Sequence, residues 1–188
     1  MDFYAFCIGL LAYLIGALPT GYLIAQIKGI ADIRSHGSGN IGATNVSRLL
    51  GLHYFFIVFL LDAGKAYLFI QAIKSHFDFT HVCLFAAMLL IGNGFSVFLN
   101  GSGGKGVATL MGLLTALHSQ TVFIILCIWF IFLFITRTVG IASVGAAIWL
   151  PFVAYTTHNT SFFLFSLFAT AWIIQKHHKN LAAYWNKE

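Results

Sequence analysis

Between Phe3 and Ile27 the chain carries no charged side chain, and long apolar segments of the same kind recur after it. They run from His53 to Ile73, His81 to Leu99, Val107 to Leu117, Gln120 to Ile135, Val139 to Tyr155 and Ser161 to Ile174. About 20 apolar residues suffice for a helix to cross a bilayer. In lipid, a segment must satisfy its own backbone hydrogen bonds, which selects helices. Soluble domains carry about 25% charged residues, whereas these 188 residues are 8% charged and 60% hydrophobic. The expectation is an all-α integral membrane protein: one domain over residues 1–188, a compact bundle of about seven transmembrane helices with cytoplasmic glycine-rich turns. The fourth segment is short for a perpendicular crossing, so five spans with two re-entrant segments is the alternative. The first segment contains Pro19 and exceeds the about 7–15 apolar residues of a signal-peptide core, so it is expected to be retained.

Orientation follows from the cations in the connections. With the N-terminus outside, Lys28, Arg34, Arg48, Lys105, Arg137, Lys176, Lys179 and Lys187 fall on the inner side and only Lys74 on the outer, with Lys65 inside the second segment. The asymmetry predicts that the most polar stretches, Arg34 to Arg48, Gly101 to Gly106 and the C-terminal tail, all face the cytoplasm.

The first of these reads RSHGSGNIGATNVSR. Gly37, Gly39 and Gly42 let the backbone aim several N–H groups at one ligand, an arrangement that favours an anion. A helix starting near Asn40 or Ile41, with Ser38 or Asn40 as N-cap, puts Thr44, Asn45 and Arg48 on one face. Hydroxyl, amide and guanidinium groups around a helix N-terminus suit phosphate. A polar loop with a capping serine is the plainer alternative. The second stretch, GSGGKGVAT from Gly101 to Thr109, sets four glycines around Lys105 at a helix start. It is no Walker motif, because Leu99 and Gly106 stand where Gly and Ser or Thr are needed; a glycine turn with one ammonium remains, again suited to phosphate or else a tight connection with an inner-side lysine. In the tail, His177 and Asn180 are three apart and share a face if the helix continues. Histidine there can act as acid or base, or the tail can be a basic anchor. Within the second segment Asp62 and Lys65, also three apart, are expected to form a structural ion pair, since isolated charge is costly in lipid.

Several chemistries lack their residues. Ser38 is flanked by His36 and Asn40 where a nucleophile elbow needs glycines. None of the eight histidines has an aspartate five residues on, and neither HExxH nor a paired His/Glu metal site occurs. Cys7, Cys83 and Cys127 lie in apolar segments and form no CxxC, so neither a metal site nor a disulfide framework is indicated. No cofactor is called for. The net charge of +5 is dispersed among membrane segments and gathered on one side; that fits anionic lipid or a phosphorylated substrate and not nucleic acid.

GSGNIGATNVSR, then GGKGVAT, then the tail HxxN, with GALPTGYLIA in the first segment, resemble the bacterial acyl-phosphate:glycerol-3-phosphate acyltransferase (PlsY) family over nearly the whole chain. The resemblance implies a seven-span bundle in the bacterial inner membrane with a cytoplasmic active site. It implies acyl transfer from acyl phosphate to the 1-hydroxyl of glycerol 3-phosphate, with release of phosphate, in phospholipid synthesis. Matched residue by residue, Ser38, Arg48, Lys105, His177 and Asn180 are the catalytic candidates. Gly39, Asn40, Gly42, Thr44, Asn45, Gly103, Gly104, Gly106 and Thr109 are the candidates for holding phosphate and substrate. Four positions depart from the family pattern: Asn93 stands for His, Ser96 for Pro, Ala66 for Gly and Ala183 for Arg. A non-catalytic paralogue follows if those departures disable the site. A transporter of a phosphorylated solute would share the spans, interior charges and glycine turns.

Overall fold

The computed structural model describes residues 3–186, so Lys187, counted above on the inner side, lies outside the described residues. These residues form ten α-helices and no strand. In order they are α1 (Phe3–Ala17), α2 (Thr20–Ile27), α3 (Ala43–Leu50), α4 (Leu52–Ile73), α5 (Phe79–Gly94), α6 (Val107–Leu117), α7 (Ser119–Thr136), α8 (Val139–Tyr155), α9 (Thr160–Lys176) and α10 (His178–Trp185). Four stretches, Phe3–Ile27, Leu52–Ile73, Phe79–Leu99 and Ser119–Thr136, are long and apolar enough to cross a membrane; Val107–Leu117 and Val139–Tyr155 are shorter apolar helices.

The first apolar segment is broken in two at Leu18 and Pro19, because proline offers no N–H to the preceding turn. The break is sealed from α4. Lys65 Nζ donates to the Gly16 carbonyl at 3.1 Å and the Leu18 carbonyl at 2.7 Å. The same ammonium pairs with Asp62 Oδ1 at 2.7 Å, and Thr20 Oγ1 donates to that same oxygen at 2.7 Å. The ion pair expected from the sequence is therefore present, and its work is to fasten α4 to the kink between α1 and α2.

Helices approach closely where side chains are absent. A Cβ on Gly16 would run into the Leu89 carbonyl and one on Gly92 into the Tyr13 carbonyl, which is how α1 lies flat on α5. Gly112 meets the Ala63 carbonyl in the same way, seating α6 on α4. The main core, including Phe85, Leu89, Leu113, Leu150, Phe162 and Ile173, fills the space among α5, α6, α8 and α9. A smaller cluster around Ile33, Ile41, Val46 and Val58 anchors the polar stretch before α4. At the margin, α7 packs on α8 but leaves Phe123, Phe130, Phe134 and Ile135 standing outward.

Candidate active site

The stretch before α3 is held by its own side chains. Arg34 grips Asp32 through Nε and Nη2, at 2.7 Å for the Nη2–Oδ2 bond, and Ser35 Oγ donates to the Asp32 carbonyl. Asn45 reaches back from α3: its Oδ1 accepts from the Ser38 N–H at 2.9 Å and its Nδ2 donates to the His36 carbonyl at 2.9 Å. A Cβ at Gly37, whose φ is +58°, would occupy the place of that Asn45 oxygen. The helix consequently starts later than the sequence suggests. It begins at Ala43 after Gly42, with no side-chain cap, and neither Ser38 nor Asn40 caps it, because Asn45 has drawn the loop back across the helix start. Asn45 is thus engaged in shaping the turn.

The lysine turn is folded onto the end of α5. The Gly104 N–H donates to the Asn93 carbonyl at 2.8 Å, and Gly103 lies so close to the Asn93 and Gly94 backbone that no side chain would fit. Gly106, with φ +87°, turns the chain into α6. Lys105 is left pointing across to α10, where its Nζ donates to Asn180 Oδ1. Burial, and then the nearby Arg48 cation, push the Lys105 pKa below its ordinary value.

The tail does not continue as one helix. α9 ends at Lys176 and α10 restarts at His178, with the Asn180 N–H closing on the His177 carbonyl at 2.8 Å. The helix breaks at His177 and restarts, and the first turn of α10, with the Leu181 N–H also on the His177 carbonyl at 3.0 Å, puts His177 and Asn180 on the same cavity. His177 is buried, and its Nδ1 lies 2.8 Å from the Ile173 carbonyl. A carbonyl only accepts, so Nδ1 carries the proton and Nε2 keeps the lone pair. Burial pushes the imidazole pKa down to about 4, so it is neutral at physiological pH.

These three stretches line one cavity of about 590 Å³. Ser38, Asn40, Gly42, Thr44, Asn45, Arg48, Gly104, Lys105, Gly106, Thr109, His177 and Asn180 all reach it; Gly39 and Gly103 do not, and serve the backbone turns instead. Away from the polar end the walls are Phe55, Phe59, Ile125, Leu126, Trp129 and Leu150. Asn40 and Thr109 each keep a buried oxygen without a hydrogen-bond partner. Buried polar atoms are nearly always paired, so these two oxygens, like the Trp172 Nε1 off the cavity, are exceptions. Asp62 also lines the cavity, and its Oδ1 is held by both Lys65 and Thr20. Among the described residues the carboxylates Asp32, Asp62 and Asp78 are engaged with Arg34, Lys65 and His81. Arg48 and Lys105 have no carboxylate partner there, which leaves two uncompensated cations at the polar end of the cavity.

Two lining residues had no signal in the sequence beyond general rules, and a third was visible only as a departure from the family pattern. Arg137, at the rim, reads as an inner-side cation; Gly140 reads as a small helix residue. A Cβ on Gly140 would come within 2.8 Å of Asn180 Nδ2, so the glycine leaves room for that amide. Asn93, a departure from the family pattern, lines the cavity while its backbone holds Gly104. Ser96 is buried and its Oγ donates to the Ala17 carbonyl at 2.6 Å, a use proline does not have. Ala183 is exposed on α10 and is absent from the cavity wall.

The family model described as glycerol-3-phosphate acyltransferase matches residues 6–187. The chain belongs to the glycerol-3-phosphate acyltransferase family. Its relatives include the glycerol-3-phosphate acyltransferase of Thermosynechococcus vestitus, 35% identical over 93% of this chain and 88% of that protein. That of Desulforudis audaxviator is 39% identical over 91% of this chain and 87% of the relative. Two crystal structures of PlsY, an integral membrane glycerol 3-phosphate acyltransferase, share the fold. The glycerol 3-phosphate form superposes with a TM-score of 0.89 at 32% identity, covering 95% of this chain and 90% of that one. The lysophosphatidic acid form gives 0.87 at 31% identity over the same shares. The chain is accordingly an integral membrane member of this acyltransferase family.

Proposed function

We propose that this protein transfers an acyl chain from acyl phosphate to the 1-hydroxyl of glycerol 3-phosphate, yielding 1-acyl-glycerol 3-phosphate and inorganic phosphate for phospholipid synthesis. The observation that carries the reading is the cavity itself, which joins carboxylate-free Arg48 and Lys105 and two orphan oxygens to an apolar half. Such a site takes a ligand that is anionic at one end and aliphatic at the other. The PlsY structures in glycerol 3-phosphate and lysophosphatidic acid forms support the acceptor and the product of this reaction.

Acyl phosphate is a mixed anhydride with a stable leaving group, so positioning and charge stabilisation suffice and no covalent intermediate is needed. Arg48, with Ser38 and Thr44, holds one phosphate; Lys105, in the turn that Gly104 and Gly106 shape, holds the other. The substrate hydroxyl oxygen attacks the acyl carbon, the new ester C–O bond forms, and the anhydride C–O bond breaks to release phosphate. His177 Nε2 accepts a hydrogen bond from the attacking hydroxyl, and Asn180, itself held by Lys105, orients the glycerol. The proton ends on phosphate: a phosphate monoester has its second pKa near about 6, whereas His177 is held at about 4. The acyl tail lies along Phe55, Phe59 and Trp129.

The inner-side gathering of Lys28, Arg34, Arg48, Lys105, Arg137 and Lys179 supports about seven crossings of a bacterial cytoplasmic membrane with the site facing the cytoplasm. A single cysteine at Ser47, with the native cysteines replaced, is expected to resist impermeant thiol reagents in intact cells. The activity is tested with purified protein in liposomes, palmitoyl phosphate and labelled glycerol 3-phosphate. Labelled lysophosphatidate is the expected product; no product, or equal turnover with palmitoyl-CoA, would overturn the reading.

A further inference from the structure

Arg137 is given no part in the chemistry above, yet it occupies a position that the other cations do not. It belongs to the wall of the catalytic cavity and also to a second, open depression of about 800 Å³ on the outer side of α7. Phe130 is shared in the same way. The remaining walls of the outer depression are apolar: Ile131, Leu133, Phe134 and Ile135. α7 is the least covered of the long helices, with Phe130, Ile131, Phe134 and Ile135 all more than half exposed. Arg137 ends that stripe in the left-handed conformation, φ +52°, its guanidinium 4.9 Å from the Phe134 ring centre. Arg137 also has no carboxylate partner among the described residues. One cation at the end of a lipid-facing aliphatic stripe, with the active-site cavity directly behind it, matches the chemistry of a single-chain anionic amphiphile lying in the membrane.

We propose that Arg137 and Phe130 form a lateral portal through which long-chain acyl phosphate passes from the bilayer into the cavity. The tail lies along the outer face of α7, and the phosphate is first taken by Arg137. The headgroup then transfers round Phe130 to Lys105 and Arg48, and the tail follows it past Phe130 into the apolar half of the cavity. Glycerol 3-phosphate, which has no tail, uses the aqueous side and does not need Arg137. This inference rests on the acyl-phosphate reading for the identity of its ligand. A cation at a helix C-terminus also complements the local carbonyls, and the test separates that ordinary use from the portal.

Arg137→Asn removes the charge but tolerates the left-handed conformation, and Arg137→Lys restores the charge. The two variants and the parent are compared in liposomes with dodecanoyl phosphate and with water-soluble butyryl phosphate. Binding of the inert amphiphile dodecyl phosphate is measured separately by calorimetry in lipid nanodiscs. R137N is expected to raise KM for dodecanoyl phosphate and weaken dodecyl phosphate binding by about tenfold, the scale of one lost charge-assisted contact. KM for butyryl phosphate and for glycerol 3-phosphate stays in place, and R137K recovers most of the loss. Equal losses with both donors would assign Arg137 to local structure, no change in either would leave it a mere inner-side cation, and a shift only in inhibition by lysophosphatidate would assign it to product release; each overturns the proposal. If the parent binds dodecyl phosphate in an Arg137-dependent manner but transfers no acyl group, the proposed reaction falls while the portal stands.

Discussion

Lys105 and Asn180 come from turns far apart in sequence, and the hydrogen bond between them makes them one device. Lys105→Met keeps most of the aliphatic stem and removes the charge. It deletes one charge-assisted contact to phosphate, on the order of 1.5–3 kcal/mol, so kcat/KM is expected to fall between about 10-fold and 150-fold. Asn180→Ala leaves the ammonium without the amide that aims it, in a half-buried place where Gly104 and Gly106 offer no side chain to replace that support. Its loss is expected to lie at the lower end of the same range. If the lysine acts through the position Asn180 gives it, the double variant is little worse than K105M alone, with a coupling of about 1–2 kcal/mol. The assay is a double-mutant cycle in kcat/KM with palmitoyl phosphate and labelled glycerol 3-phosphate, with each variant checked for a monodisperse elution profile in detergent. Losses that add within about 0.5 kcal/mol would refute the argument that the pair works as a unit.

Arg48→Lys keeps the charge but loses the two-pronged guanidinium, and is expected to reduce kcat/KM by at least about tenfold in the same assay. Lys65→Met strands the Asp62 charge and the Gly16 carbonyl together; it should destabilise the protein by about 3–5 kcal/mol, read as earlier thermal aggregation in detergent, with the Asp62→Asn/Lys65→Met double variant partly recovering. His177 has its pKa lowered from 6.5 to about 4 by burial. The unfolded chain therefore binds the extra proton first: the stability contributed by neutral His177 is full above about pH 6.5 and is lost as pH falls toward 4. His177→Asn is expected to flatten the difference in melting temperature across that window, and an unchanged slope would contradict the buried neutral imidazole.

The apolar runs gave the helices because their only solvent-compatible solution is helical, and the three polar stretches, each open to a plainer reading by itself, became site candidates through their resemblance to one family's motifs; the fold brings them to one cavity. What they did not declare depends on contacts between distant residues. Nothing in GSGNIGATNVSR says that Asn45 would reach back to Ser38 and His36 and delay the helix to Ala43. The spacing of His177 and Asn180 suggested one helical face if the helix continued; it breaks at His177, and the new turn that starts there brings both residues to the cavity. Asp62 and Lys65 were readable as a pair because cost in lipid demands one; that Lys65 also serves carbonyls of the first segment follows only from the packing of α4. Arg137 was counted for its sign, and its location at a junction of two depressions had no counterpart in residue type or spacing.

The seal at Pro19 has a consequence for how the protein is made. As the chain leaves the ribosome, α1 and α2 reach the membrane before α4 has been synthesised, and the Gly16 carbonyl then lacks the lysine that serves it in the finished fold. An unserved carbonyl in hydrocarbon costs several kcal/mol, so the N-terminal segment rests securely in lipid only after Lys65 has followed it in. The first apolar segment is thus completed only by a residue 49 positions further on, and the two segments are mutually dependent in the finished fold.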